Sequence, residues 1–455
     1  MRKSLRKLIV AFMTVSLFLV GCSNNVEPNN SAVSSLSNTS GQSSSPQQPV
    51  QAQAQKTVIE YWHVNAETQG GLTVEELVGA FNAQSDTVEV VAKYNPDMYK
   101  GLMQNLQAEA AAGRSPAVVQ IGWAFLDYFS NNFSYVEPQT VIDTHFPENK
   151  TFISDNFLPN IAALAENSSG SQVGLPYSLS NPVLYINKDL LRQAGLSDEG
   201  PKTWQEVQTF AKTIKEKTGK YGLYIQEPAD SWAQQALIES NGAKMVTVQD
   251  GKIQASFASN EGIEAYETYA DMVLKDGSAL HLNWDEGVQS FVDGNVAMLY
   301  TTIARRAMVQ KSANFDVGAV NSPAWEGKER ALPSGGCFLA ITAMTEEDQK
   351  AAWEFEQFLY SVESVAAWTI GTGYVPPRTG VSEAENGLKS FLEENKMMEA
   401  ATTQMQYMVP WTSFPGDAGL LAEQMLLDMR DEILGGSKSA RDAMIETQNK
   451  INELL

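Results

Sequence analysis

The sequence predicts an α/β fold, and three observations carry that prediction. Short apolar runs rich in β-branched and aromatic residues recur at Val58 to Trp62, Pro116 to Ile121, Pro182 to Ile186, Val296 to Thr302 and Cys337 to Thr342, and such runs read as buried strands. Between them lie stretches with helix start and stop signals. Thr73-Val74-Glu75-Glu76 and Thr203-Trp204-Gln205-Glu206 have capping-box spacing, and Gly113, Gly195, Gly242 and Gly294 follow helical patterns as stops. The two kinds alternate closely, as in a parallel sheet with crossover helices.

In chain order, a strand over Val58 to Trp62 leads to a helix from Thr73 to about Phe81. Val88 to Tyr94 alternates as a strand, and Tyr99 to Ala112 places Met103, Leu106 and Ala110 on one helical face. Ligands in such sheets sit at the carboxyl ends of the strands, so the loops after Trp62, Tyr94 and Ile121 surround one crevice. After the strand at Pro182, Asp189 is expected to open a helix to Ala194. Ser231 to Asn241 reads as a helix, Asn260 as the cap of a long one, Thr345 as the cap of Glu346 to Tyr360, and Leu388 to Leu455 as nearly all helix with a last cap at Ser439.

The chain has 455 residues, 43% hydrophobic and 19% charged, enough for two or three domains. A net charge of −22 argues against nucleic-acid binding, which wants a basic footprint. Residues 1–21 read as a secretory signal: Arg2, Lys3, Arg6 and Lys7 precede the apolar run Leu8 to Val20, which is too short to span a bilayer. It ends in Leu19-Val20-Gly21-Cys22, which resembles a bacterial lipobox. That resemblance implies a diacylglyceryl and palmitate anchor on Cys22 and an extracytoplasmic address on the cell membrane. Ser23 to Gln55 is Ser-, Asn-, Gln- and Pro-rich with Glu27 as its one charge, a composition that cannot bury a core. As a flexible tether it reaches about 30 Å. Cys337 is the second of two cysteines, so no disulfide framework is expected and a buried thiol is.

Enzymatic readings lack a motif. There is no HExxH, GxSxG or GxxxxGK[ST], and His63, His145 and His281 have no ligand spacing. No catalytic residue, metal or cofactor is expected.

At Pro182 the sequence becomes recognisable. PVLYINKDLLRQAGL followed by PKTW resembles the bacterial extracellular solute-binding proteins of the maltose-binding type, nearest their glycerol-3-phosphate branch. The order of YWH at Tyr61, FNAQ at Phe81, F-x-x-G-x-x-A-M at Phe291, GG at Gly335 and TGYVPPR at Thr372 agrees with it. The resemblance implies a type II periplasmic-binding-protein fold: two α/β lobes, a hinge crossed three times and a ligand cleft between the lobes. On this reading residues 57–180 with 302–344 form one lobe and 181–301 with 345–455 the other. The crossings fall near Ser178 to Pro182, Met298 to Thr302 and Ala343 to Glu347. It also implies a monomer that passes its ligand to the transmembrane permease subunits of an ABC importer. The same lobe closure would serve a receptor for a sensor kinase.

Carried over position by position, the resemblance assigns ligand contacts to Tyr99, Ser180, Trp232, Thr302, Gly336 and Tyr374. Trp123 falls where the branch has a glutamate, and Trp411 and Arg378 are further candidates. Trp62, Trp204 and Trp284 read as core aromatics. Glu423 stands near the branch's phosphate-holding arginine. A dianionic phosphate wants charge-assisted donors, whereas aromatic faces with a few hydroxyls suit a sugar or polyol. The expectation is a neutral mono- or oligosaccharide, with glycerol-3-phosphate as the alternative; Arg305, Arg306 and Arg378 keep a charged ligand open.

Overall fold

A computed structural model describes residues 56–67, 70–96, 98–226, 231–249, 252–414 and 419–455. The signal segment, Cys22 and the tether lie outside them, as does the side chain of Trp284. No helix among the described residues is long and apolar enough to cross a membrane.

Fourteen strands are described: β1 (Thr57–His63), β2 (Val88–Tyr94), β3 (Val118–Gly122), β4 (Leu175–Ser180), β5 (Pro182–Asn187), β6 (Tyr221–Ile225), β7 (Val246–Gln249), β8 (Lys252–Ala255), β9 (Ala279–Leu280), β10 (Val296–Thr302), β11 (Val317–Asn321), β12 (Leu332–Pro333), β13 (Gly335–Ile341) and β14 (Met408–Val409). They build two five-stranded sheets, β2-β1-β3-β13-β4 and β11-β5-β10-β6-β9, with the small pairs β12-β14 and β7-β8. The first three strands run parallel, as expected, but β13 lies antiparallel between β3 and β4. Each sheet is therefore mixed, with one reversed strand: the late-arriving β13 in the first sheet and β5, the earliest strand, in the second, where it runs antiparallel to both β10 and β11.

The edge strand β2 is blocked by the side chain of Asn82. Its amide donates to Val90 O and accepts from Val90 N, both at 2.8 Å. One side chain thus satisfies the outward N–H and C=O of Val90, part of what would otherwise be an open edge.

Strand pairing places the passages between the sheets. Asn181 alone separates β4 of the first sheet from β5 of the second. The second passage is not at Met298 to Thr302, because β10 and then β11 both pair with β5. It lies between Asn321 and Gly335. VAMLYTT is apolar throughout, so composition identified a buried strand without saying which sheet holds it. The third is not at Ala343 to Glu347 either, since the Glu346–Leu359 helix packs on β1 and β13 of the first sheet. The chain changes sheet only between Thr372, the end of a helix packed on Gly71–Gln84, and Glu399–Thr402, which packs on β5 and β11. Residues 302–334 therefore accompany the second lobe and 345–372 the first. Gln404 ties the passages together: its Nε2 donates to Asn181 Oδ1 (2.9 Å) and Pro182 O (2.7 Å), and its Oε1 accepts from Ser322 N (3.0 Å).

Several caps fall where expected. Thr203 forms its capping box with Glu206, and Thr345 and Ser439 cap their helices. Others shift. Asn187, not Asp189, caps Lys188–Gln193, and Ser259, not Asn260, caps the long helix. Thr73 lies inside Gly71–Gln84, where its burial outweighs a local capping signal. The expected helical run from Leu388 to Leu455 is interrupted: non-helical chain over 408–414 precedes the paired helices Gly419–Leu434 and Ala440–Leu454.

Candidate binding cleft

The expected ligand residues fall into two groups flanking the β4/β13 pair. The first centres on the Gly335-Gly336 turn into β13. Gly335 lies opposite Ser180 in the ladder. A Cβ on Gly335 would collide with Ser180 Oγ and come within 3.3 Å of the Trp232 ring. The missing side chain therefore leaves the space that the serine hydroxyl and the indole occupy. Gly336 has φ +102°, and a Cβ there would strike the Ser178 carbonyl, so only glycine serves. Trp232 is almost fully buried and donates from Nε1 to Pro333 O at 2.9 Å.

The second group is two half-buried tyrosines around a buried thiol. Tyr99 covers Gly122, where an added Cβ would lie 2.6 Å from its ring. Its hydroxyl neighbours the Cys337 thiol and the Tyr374 hydroxyl, and burial first, then these two groups, raise it well above the usual phenol range. Burial, then the neighbouring thiol, push Tyr374 up to about 12, and burial raises Cys337 to about 11. All three stay protonated at physiological pH and can both donate and accept. Tyr374 also stacks on Trp368 at 6.1 Å with an interplanar angle of 5°. Cys337 is fully buried and free.

Three candidates are placed differently from expectation. Trp123 is 1% exposed and packs on Phe338 within the first core, rather than standing open at the strand end. Its Nε1 has no hydrogen-bond partner among the described residues. Thr302 turns its hydroxyl onto Ala304 N, capping the next turn. Arg378 donates to Tyr360 O (2.7 Å) and Thr379 O (3.2 Å) and lines a cavity of about 480 Å³ beside Leu158, Pro376 and Met405. That cavity is separate from the Tyr99 and Trp232 groups: none of its lining residues belongs to them. Trp62 and Trp204 are core residues, each 1% exposed.

Sequence reasoning missed how the head of the Trp232–Ser240 helix is wired. Ser231 N and Oγ both donate to the Glu423 carboxylate, the hydroxyl at 2.9 Å. Trp411 Nε1 approaches Ser231 Oγ at 3.5 Å, and its ring packs against both cores. Ser413 Oγ donates to Ala124 O, next to Trp123, at 2.9 Å. The only available signal was the spacing of VPWTSFPG, which shows an irregular segment but not its neighbours. Among the described residues no group of acidic, histidine or cysteine side chains could hold a metal.

The family profile described as "Bacterial extracellular solute-binding protein" matches residues 76–399. The chain is a bacterial extracellular solute-binding protein. Curated relatives of this solute-binding protein include the sn-glycerol-3-phosphate-binding periplasmic protein UgpB of Rhizobium meliloti, 27% identical over 411 residues (87% of this chain, 92% of the relative). UgpB of Escherichia coli K12 is 26% identical over 428 residues (88% and 92%). Among solved structures, UgpB from Mycobacterium tuberculosis with glycerophosphocholine superposes with a TM-score of 0.75 at 21% identity (87% of this chain, 98% of that one). The cyclic alpha-maltosyl-1,6-maltose binding protein from Arthrobacter globiformis gives 0.75 at 19% identity (88% and 99%). The shared fold is the type II binding-protein fold, two α/β lobes with a cleft between them.

Proposed function

We propose that this solute-binding protein captures a neutral mono- or oligosaccharide in the interlobe cleft and delivers it to the permease of an ABC importer, held at the membrane by a lipid on Cys22. A ligand that touches both lobes favours the closed form by its differential contacts, and no bond is made or broken. The observation that carries the neutral-ligand part is the Glu423 carboxylate on Ser231. A helix N-terminus is the ready-made anion site of a binding protein, and here an internal carboxylate occupies it. Beside it the half-buried Trp411 offers an aromatic face, and Tyr99 and Tyr374, also half-buried, offer hydroxyls, with Trp232 and Ser180 as buried candidates, which is the chemistry a sugar needs. The lipid and tether would concentrate the binder beside its permease.

The relatives' names favour a second reading, glycerol-3-phosphate or another phosphorylated polyol. Calorimetry against a panel of neutral sugars and against sn-glycerol-3-phosphate separates the two. Heat from a sugar and none from the phosphate is the expected result; tight binding of the phosphate with no sugar response would overturn the neutral-ligand reading.

A further inference from the structure

We infer that Gln235 is a positioning residue for solute capture: its side-chain amide clamps the segment Pro410 to Ser413, which brings Trp411 to the head of the Trp232–Ser240 helix and bonds the second lobe to the first. The inference rests on the solute-capture reading above. Gln235 is 1% exposed. Its Nε2 donates to Pro410 O at 2.9 Å and its Oε1 accepts from Thr412 N at 2.9 Å. The two bonds fall on either side of Trp411, as a neighbouring strand would hold it. The same Nε2 reaches Glu239 Oε2 at 3.0 Å, and Glu239 Oε1 accepts from Met245 N at 3.0 Å, so the clamp is itself held in place.

From the clamp the segment presents two groups. The Trp411 indole packs against both cores, with its N–H toward Ser231 Oγ. The Ser413 hydroxyl reaches Ala124 O on the first lobe. A buried amide that uses both its donor and its acceptor on another segment's backbone fixes the depth and register of that segment, because release would orphan buried peptide groups. Gln235 thereby sets where Trp411 stands, and Ser413 bonds that segment to the first lobe. No motif marks this residue; it lies on an ordinary helical face.

The test uses the full chain carrying Cys22→Ser, without ligand. In Gln235→Met, amide exchange of the peptide spanning residues 408–414 is expected to speed up by about tenfold or more as two buried hydrogen bonds are lost. Gln235→Glu keeps the acceptor for Thr412 but loses the donor to Pro410, so its exchange falls between. Spin labels at Arg114→Cys and Lys212→Cys report the lobe separation, which is expected to broaden toward longer distances in both Gln235→Met and Ser413→Ala. Unchanged exchange in folded Gln235→Met overturns the clamp. If Gln235→Met does not fold, an unchanged distance distribution in Ser413→Ala overturns the bridging role. Because both readouts are taken without ligand, a protein that binds no saccharide yet shows these shifts would remove the proposed function and leave the clamp.

Discussion

Both carboxylate oxygens of Glu423 are turned onto Ser231, one accepting from its backbone N–H and the other from its hydroxyl at 2.9 Å. Ser231 stands immediately before Trp232–Ser240, so the chain's own anion holds the positive end of that helix. A ligand phosphate placed there would meet like charge. Glu423→Arg reverses the sign and is expected to strengthen binding of sn-glycerol-3-phosphate by at least about tenfold, about 1.4 kcal/mol. Glu423→Gln should fall between. Calorimetry checks the series, and equal phosphate affinity in wild type and Glu423→Arg would show that the carboxylate does not select the ligand.

Gly335 and Gly336 adjoin in sequence yet should fail differently. Gly336 has φ +102° and no room for a Cβ against the Ser178 backbone. Gly336→Ala is therefore expected to cost about 2 kcal/mol or more of stability, read as a lower denaturation midpoint. Gly335→Ala instead displaces a side-chain atom, Ser180 Oγ, and crowds the Trp232 ring. It should lose saccharide affinity while keeping most of its stability. Equal loss of stability in both variants would make Gly335 a purely structural glycine.

The fold was legible because its signals are local. The strand at Pro182, the capping box at Thr203 and the caps at Thr345 and Ser439 each announce themselves within a few residues. What could not be read was membership. Val296 to Thr302 is buried on every side but the last, so its sequence is silent on which sheet it joins, and the second passage between lobes was placed some twenty residues early. The wiring around the candidate cleft was illegible for the same reason. The resemblance proposes Ser180, Trp232 and Tyr374 as ligand contacts, but Gln235, Gln404 and Ser413 act through backbone partners more than eighty residues away along the chain, and no periodicity records such pairs. Trp123 shows the opposite error: a strand-end aromatic looks like a cleft wall until its packing on Phe338 is seen.

Tyr99→Phe tests the hydroxyl cluster. The ring still covers Gly122, so packing is retained, while the hydroxyl beside Cys337 and Tyr374 is removed. If the cluster meets the ligand, affinity should fall by about 1–2 kcal/mol with a smaller change in melting temperature. Because burial pushes Tyr374 up to about 12 and Cys337 up to about 11, the cluster should add no pH dependence to binding between pH 6 and about 9. A titration of affinity across that range, absent in Tyr99→Phe, would contradict the assignment.

Glu356 sets a pH dependence of stability with an unusual sign. It is fully buried in the first lobe, neither carboxyl oxygen has a hydrogen-bond partner among the described residues, and burial raises its pKa from 4.5 to about 8. The folded state thus holds a proton that the unfolded chain releases above pH 4.5. Its contribution is fully present below that value and is lost progressively as pH rises toward 8, by about 1.4 kcal/mol per unit and roughly 3 kcal/mol by pH 7. His63 has the opposite sense: burial lowers it from 6.5 to about 4, so its contribution is lost as pH falls below 6.5 and is constant above. Between pH 6.5 and 8 the slope therefore belongs to Glu356 rather than to His63. Glu356→Gln removes the ionisable proton at nearly constant shape. Urea titrations at pH 6.5, 7.25 and 8 should show wild-type stability falling with pH and the variant nearly flat, crossing over toward greater relative stability at the alkaline end. Parallel slopes would mean that Glu356 finds a compensating partner and ionises within the fold.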